Sequence, residues 1–370
     1  MIEKKCIGCG VELQHIDKNA IGYVPEEKFI TEENLLCQRC FKIKNYGTNV
    51  MNPFNKKDYD KVVRDAINSS NIILPIFDII DFEGSFSEEI LDYLREYRSI
   101  VLINKIDLLP GYIHPTEVSD WVKARLSEES IVPDGISFLS AKSKYGVNGV
   151  IKKINNMFDD KVRAVVFGVT NVGKSSLINL LTNNPNLTVS KYAGTTLKTV
   201  NNKIPSTNIT IVDTPGLIPE GRLSDLLSAE SSLKLVPNNE ISRKTFKLEA
   251  DQIFMFDELC YFRILDNKNE YDPIFSVYSS KDVKFHITNK NRIDELIGSN
   301  FFKLLTKEES KDYQQLEKVT KKITINESEE LAISGLGWIN IKRGPLEIEL
   351  TIPKGVKFIK RKGIFNSSKR

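Results

Sequence analysis

Two short stretches of this chain stand in an order that few folds accommodate. Gly168-Val-Thr-Asn171-Val172-Gly173-Lys174-Ser175 has the G-x4-G-K-S spacing of a phosphate loop, yet it begins almost halfway along a chain of 370 residues. Asn104-Lys105-Ile-Asp107, suited to reading a guanine base, stands well before it. Guanine-nucleotide domains ordinarily open with the first and close with the second. From Asp58 to Leu217 short apolar runs alternate with helical patterns, the runs being NIILPIFD, SIVLIN, GISFLSA, RAVVFG and NITIVD. Runs apolar throughout are expected of strands in a mainly parallel sheet with helices on both faces. Each motif falls at the carboxyl end of such a strand, where ligands bind in these sheets.

The residue types state the chemistry. In the phosphate loop, Gly168 and Gly173 let backbone amides face phosphates, and the following helix adds its partial positive charge. Lys174 reaches the β- and γ-phosphate oxygens and Ser175 holds Mg2+, with Asn171, Val172 and Ser176 lining the same nucleotide. Asp213-Thr-Pro-Gly216 follows NITIVD, so its carboxylate can support Mg2+ and its glycine amide can meet the γ-phosphate. Thr195 and Thr196 lie in the polar stretch KYAGTTLK, and Thr196 is expected to complete the Mg2+ shell; the alternative is a plain surface loop. A buried Asp107 would accept from both the ring N–H and the exocyclic amine of guanine, whereas adenine offers no such donor pair, which makes the nucleotide GTP or GDP. Asn104 and Lys105 complete that motif, and Ser140-Ala141-Lys142 fits the companion loop in which a backbone amide meets the guanine O6.

The simplest account of the order is circular permutation. The helix YGVNGVIKKINNMF, which would end an ordinary domain, runs straight into RAVVFG, which would begin one. Domain termini often lie close together, so such a join preserves fold and pocket. The cut then falls after Asp213–Gly216, and the second switch leads directly into the last third of the chain. Nucleotide state is therefore expected to set the placement of that last third. Position 217 holds Leu where many GTPases carry the glutamine that orients the attacking water, so hydrolysis is expected to be slow or aided by a partner or an ion. Asn171 resembles the asparagine of potassium-using GTPases; alternatively it merely tolerates left-handed backbone geometry.

Four of the five cysteines form the pairs Cys6-x-x-Cys9 and Cys37-x-x-Cys40, a set suited to a closed structural zinc site. His15 is a spare donor, and Cys260, in the apolar run FMFDELCYF, reads as a core residue. The opening MIEKKCIGCG has no apolar stretch of signal-peptide kind and the longest apolar runs are strand-sized, so a cytoplasmic location is expected and a membrane is not. Net charge is only +3, but Lys354, Lys357, Lys360, Arg361, Lys362, Lys369 and Arg370 crowd the end of the chain.

The order C-x-x-C…C-x-x-C-F, NKID, SAK, GVTNVGKSS, AGTT and DTPGL resembles the bacterial YqeH family of circularly permuted GTPases over nearly the whole chain. The resemblance implies a zinc domain in front (treble-clef or ribbon-like, 1–50), a permuted GTPase domain (51–222) and a β-rich C-terminal domain (223–370) similar to the trp RNA-binding attenuation protein. It also implies a role in assembling the small ribosomal subunit, with 16S rRNA as partner and no DNA expected. From the residues themselves, KKITINE, GWINIKRG, PLEIELTIP and VKFIKRKG alternate as strands do, and NRIDELIGSNFFKLL is more helical. On VKFIK, Lys357 is expected opposite Val356 and Phe358, with Lys342, Arg343 and the terminal basics extending a face for RNA phosphates or simply a solvated one. Two functions stay open at this point. One is a GTP-hydrolysing switch on pre-ribosomal RNA. The other is an RNA-binding scaffold in which the nucleotide is structural.

Overall fold

The computed structural model describes residues 4, 6, 12–17, 22–32, 35–37, 56–183, 199–217, 219–265, 271–299 and 301–364. The chain divides into two compact units, Met1–Asp107 with Glu129–Pro219, and Leu108–Glu128 with Glu220–Arg370. The segment 108–128, expected within the GTPase domain, is thus grouped with the second unit.

The first unit is built on a sheet of β1 (Ile72–Asp78), β2 (Ile100–Asn104), β3 (Gly135–Phe138), β4 (Val162–Phe167), β5 (Val200–Lys203) and β6 (Ile209–Asp213), ordered β3-β2-β1-β4-β6-β5. Every pair is parallel except β5 with β6. All residues of β1 and β2 are buried, which is why they are apolar up to their last residues, Asp78 and Asn104. β5, with sequence VNNK, lies at the edge and is mostly exposed; it has no apolar signature and the pattern reading did not contain it. The chain builds outward from β1 to β3, then crosses to β4 and builds the other way. The order therefore reverses between β1 and β4, and ligands bind outside the carboxyl ends of strands at such a point.

The second unit carries two antiparallel sheets, with strands β7 (Ser242–Lys247), β8 (Ile253–Phe256), β9 (Cys260–Ile264), β10 (Ile274–Ser279), β11 (Phe285–Thr288), β12 (Lys318–Ile325), β13 (Glu329–Ile333), β14 (Gly337–Arg343), β15 (Leu346–Pro353) and β16 (Phe358–Lys362). The orders are β16-β13-β14-β10-β7 and β11-β8-β9-β15-β12. Phe254, Phe256 and Phe262 from one sheet share a single apolar core with Phe275, Val277, Ile339 and Ile341 from the other, so the unit is a β-sandwich. FMFDELCYF is a hairpin turning at Asp257–Leu259, and Cys260 is a buried core residue whose thiol is pushed up by burial. Among the described residues of NRIDELIGSNFFKLL, an α-helix spans Ile293–Gly298, directly after the short 3-10 helix Lys290–Arg292.

One face of the first of these sheets carries charge. Glu330 stands opposite Asn340 on one side and Arg361 on the other, and Tyr278 stacks on Trp338 with ring centroids 5.0 Å apart. The helix Pro115–Glu128 brings Trp121 to this face: its Nε1 donates to the Lys362 carbonyl at 2.8 Å and its ring lies 4.7 Å from the Arg361 guanidinium. Arg361 pairs with Glu330 at 2.7 Å, the two side chains being 3% and 0% exposed. Arg361 is thus unavailable to phosphates, and Phe358 packs against the core rather than presenting a stacking surface; both correct the expectation for the terminal strand. Removing one partner of such a pair leaves an uncompensated buried charge. Arg361→Met should cost about 3–5 kcal/mol, and Arg361→Met combined with Glu330→Leu should recover most of it. Unfolding followed by tryptophan fluorescence reads this unit alone, because Trp121 and Trp338 are the two tryptophans of the chain.

Candidate nucleotide site

The site forms where β1, β2, β4 and β6 end. Asn104 is the last residue of β2 and is 1% exposed. Its Oδ1 accepts the Ala141 N–H at 3.0 Å and its Nδ2 donates to the Val172 carbonyl at 2.7 Å. One side chain thereby joins the loop 140–142 to the phosphate loop 168–175. Gly173 sits at φ +92, and a Cβ there would lie 2.3 Å from Asn104 Nδ2, so the close approach and the left-handed backbone both require glycine. Lys174 follows as the first residue of the helix Lys174–Thr182.

Two lysines of the site, Lys105 and Lys174, each meet a carboxylate at a strand end. Lys105 Nζ lies 2.5 Å from Asp78 Oδ2, at the end of β1, and Asp78 Oδ1 in turn accepts the Ile80 N–H. Lys174 Nζ lies 2.6 Å from Asp213 Oδ1, at the end of β6, and donates to the Thr214 carbonyl at 2.5 Å. The segment 213–217 continues alongside the phosphate loop: Thr170 N–H donates to the Leu217 carbonyl at 2.9 Å and Leu217 N–H to the Gly168 carbonyl at 3.0 Å. Leu217 is 4% exposed, an apolar side chain packed away where a water-orienting glutamine would be needed. A Cβ on Gly216 would meet Thr170 Cγ2 at 3.1 Å, so the two loops lie against each other.

Asp107 differs from expectation in one respect. It lies in the short helix Ile106–Leu108, exposed rather than buried, so its selectivity depends on a base covering it. The Ala141 amide is given to Asn104 instead of facing a base, a bracing role for Asn104 that its motif alone did not disclose. Asp78 was also missed, although an acid ending a buried apolar strand is a signal of its kind. Ser140 is buried, with its Oγ accepting the Ser143 N–H at 3.0 Å and its N–H donating to the Tyr145 carbonyl at 3.0 Å. Asn171 has φ +69, so the left-handed reading of that position describes its backbone. Ser175 and Ser176 lie at the start of the Lys174–Thr182 helix, half-buried. Thr195 and Thr196 lie outside the described residues.

At the N-terminus, Cys6 and Cys37 are buried together, and the Cys37 N–H donates to Cys6 Sγ at 3.2 Å. Cys9 and Cys40 lie outside the described residues, and no group of three or more metal-ligating side chains occurs among the described ones. His15 is turned to Phe29, with ring centroids 4.9 Å apart, and to Glu26 at 3.8 Å. Among the described residues no helix is long and apolar enough to cross a membrane.

A base-reading loop pair and a phosphate loop, joined by Asn104 at the reversal point of a mainly parallel sheet but supplied in rotated order, define a circularly permuted P-loop GTPase. Residues 163–272 match the family described as 50S ribosome-binding GTPase, and residues 273–364 match that described as YqeH-like, C-terminal. The chain is 29% identical over 369 residues to the uncharacterized protein YqeH of Bacillus subtilis, covering 97% of this chain and 98% of that one. It is 25% identical over 398 residues to a putative nitric oxide synthase of Oryza sativa, covering 94% of this chain and 71% of that one. GNP-bound YlqF from T. maritima aligns at 18% identity with a TM-score of 0.31, over 48% of this chain and 66% of that one. The chain belongs to the YqeH family of circularly permuted GTPases.

The base specificity is testable at Asp107. Asn in its place offers the guanine amine a donor instead of an acceptor, and two charged hydrogen bonds at about 1.5–3 kcal/mol each are lost. Asp107→Asn should bind GDP about 100- to 10,000-fold more weakly while gaining affinity for xanthosine diphosphate, as read by competition with a fluorescent nucleotide.

Proposed function

We propose that this chain is a GTP-hydrolysing switch in ribosome assembly, acting on the small subunit and touching its RNA through the second unit. The observation that carries the reading is where the two nucleotide-sensing loops lead. The base loop ends at Asp107, the last residue before the chain enters the second unit at Leu108. Leu217, paired with the phosphate loop, is separated by residues 218–220 from Gly221, whose carbonyl accepts the Lys357 N–H at 2.8 Å. Leu223 then donates to the Ser334 carbonyl at 2.8 Å. Gly221 is at φ +90, and a Cβ there would fall 2.6 Å from Lys357 Cγ, so this anchor admits little else. A γ-phosphate that reorders Asp213–Gly216 thus acts on a segment fastened to the sandwich a few residues later.

Mg2+ with GTP would meet Ser175, Asp213 and the switch residue Thr196, and would supply charge neutralisation at the β- and γ-phosphates. Lys174 and Asp213, partners of one another at 2.6 Å, would exchange that partnership for phosphate and metal respectively. Zn2+ would be held by Cys6, Cys9, Cys37 and Cys40; the N–H to sulfur bond between Cys37 and Cys6 supports a shared thiolate site. K+ beside Asn171 is part of the proposal, because Leu217 orients no water. Asn171→Gly separates the two roles of that residue, since glycine accepts φ +69 but offers no ligand. Turnover in Asn171→Gly should lose any excess of potassium over sodium; an unchanged ratio removes the ion from the account.

The choice of subunit rests on the YqeH resemblance, whereas the description matched by residues 163–272 names the 50S particle. Co-sedimentation with isolated 30S and 50S subunits, in GDP and in a non-hydrolysable GTP analogue, tests it. Nucleotide-dependent association with 30S particles is expected; association with 50S alone, or indifference to nucleotide, contradicts the proposal, the latter in favour of a scaffold.

A further inference from the structure

Part of the free positive charge of the second unit lies away from the C-terminal stretch where the amino-acid sequence concentrates its cations. Around β16 three cations are matched, Lys354 lying 2.9 Å from Glu317, Lys360 3.4 Å from Glu329 and Arg361 buried against Glu330, while Lys357 and Lys362 are exposed there with no ion pair among the described residues. A different margin of the sandwich is bare. β7 and β11 are edge strands, one of each sheet, and they lie side by side, with Phe246 and Phe285 ring centroids 6.0 Å apart. Lys244 stands opposite Val277, on the core-facing side of β7, yet is exposed, its ammonium 5.6 Å from the Phe285 ring. Such a side chain runs its stem along apolar surface and delivers its charge at the margin. Lys284, also exposed, holds its ammonium 3.4 Å from the Phe301 ring centroid, and the His286 ring lies 4.7 Å from the same phenyl.

Neither Lys244 nor Lys284 forms an ion pair among the described residues. The acids nearby are otherwise engaged or remote from contact. Asp257 is buried, pushed up to about 6 by burial, and accepts the N–H groups of Glu258 and Lys284 at 3.2 and 3.3 Å. Glu295 pairs with Arg292 at 3.5 Å, and Asp282 is exposed two residues before Lys284. The His286 imidazole is held below its ordinary value by burial first and then by Lys284 and Arg292, as in a positive field without local compensation. Edge lysines also discourage strand pairing with other chains, but that role requires no aromatic seat for the ammonium. A cation held on a ring has less freedom to lose on binding. With Lys284, His286 and Phe302 around it, Phe301 has little ring face to offer a base, so the margin suits backbone phosphates rather than stacked bases.

We propose that the paired edges β7 and β11, through Lys244, Lys284 and His286, hold the phosphate backbone of RNA. This rests on the RNA-contacting function proposed above. The test uses the full chain with a 16S rRNA transcript as probe, measuring affinity against salt. Lys244→Gln with Lys284→Gln is compared with Lys354→Gln with Lys360→Gln, and nucleotide binding and tryptophan-monitored unfolding verify the fold of each. Loss of two phosphate contacts lowers the magnitude of the slope of log affinity against log salt by about 1.4–1.8. That reduction is expected for the first pair, the wild-type slope for the second, and retention of the slope by Lys244→Arg with Lys284→Arg. Should the ring-seated Lys284 variant unfold, Lys244→Gln alone should lower the slope by about 0.7–0.9. An unchanged slope in a folded Gln variant overturns this assignment while leaving RNA contact elsewhere on the chain. Failure of the wild type to bind the transcript overturns the functional reading as well. Normal transcript binding with lost association to intact subunits would give the margin to a protein partner, which also overturns it.

Discussion

Asn104 is buried, and its amide is divided between two loops that lie 37 and 68 residues away along the chain. Breaking either bond would leave a buried polar group unpaired, at about 1–3 kcal/mol. The base side and the phosphate side of the site are therefore held at a fixed spacing, whatever order the chain uses to supply them. A rotated order is tolerable for this reason. Strands β1 and β4 still lie beside one another, the ends of β2 and β6 still flank them, and only the connections between elements have moved. What does change is the exit: after Gly216 the chain does not return to the first unit's sheet but enters the second unit at Glu220, whereas the chain leaving Asp107 passes through residues 108–128 of the second unit and then returns to β3.

The same economy governs charge. Lys105 and Lys174 each meet an aspartate at the end of a neighbouring strand, and these side chains are between 11% and 19% exposed. Ion pairs so largely withdrawn from water are more than solvated surface contacts, yet they can be replaced where a better partner is offered. Lys105–Asp78 ties the base loop down. Lys174–Asp213 instead joins two groups that a magnesium nucleotide would address separately, one through phosphate and one through the cation. In the second unit Arg361, Glu330 and Trp121 play the tying role, and they do so by removing from the surface a cation that the composition of the C-terminal strand advertises.

Much of the site was legible because its chemistry is local in sequence: glycine spacing, a lysine and serine at a helix start, acids ending apolar strands. NIILPIFD and SIVLIN declared themselves because strands buried on both faces are apolar throughout. β5 did not, being polar and at an edge. The strands β7 and β11 are likewise edge strands of mixed character, and FMFDELCYF hid a hairpin because both of its arms are apolar and Asp257-Glu258 turns without glycine. Pairings were illegible altogether. That Arg361 would be neutralised by Glu330, or that Ala141 would give its amide to Asn104, depends on register between segments distant in the chain. The helix Pro115–Glu128 reads as an ordinary element of the first unit; only Trp121 on Arg361 and Lys362 shows where it is packed.

The central claim is spatial: segments 103–107 and 140–142 converge with 168–175 and 213–216 on one guanosine. A crystal structure of the chain with GDP and Mg2+ tests it most directly. The account predicts the guanine N1 and exocyclic amine within hydrogen-bond distance of the Asp107 carboxylate, with the phosphates against the 168–175 amides and Lys174. A base lying away from Asp107 while its phosphates contact Lys174 would contradict it.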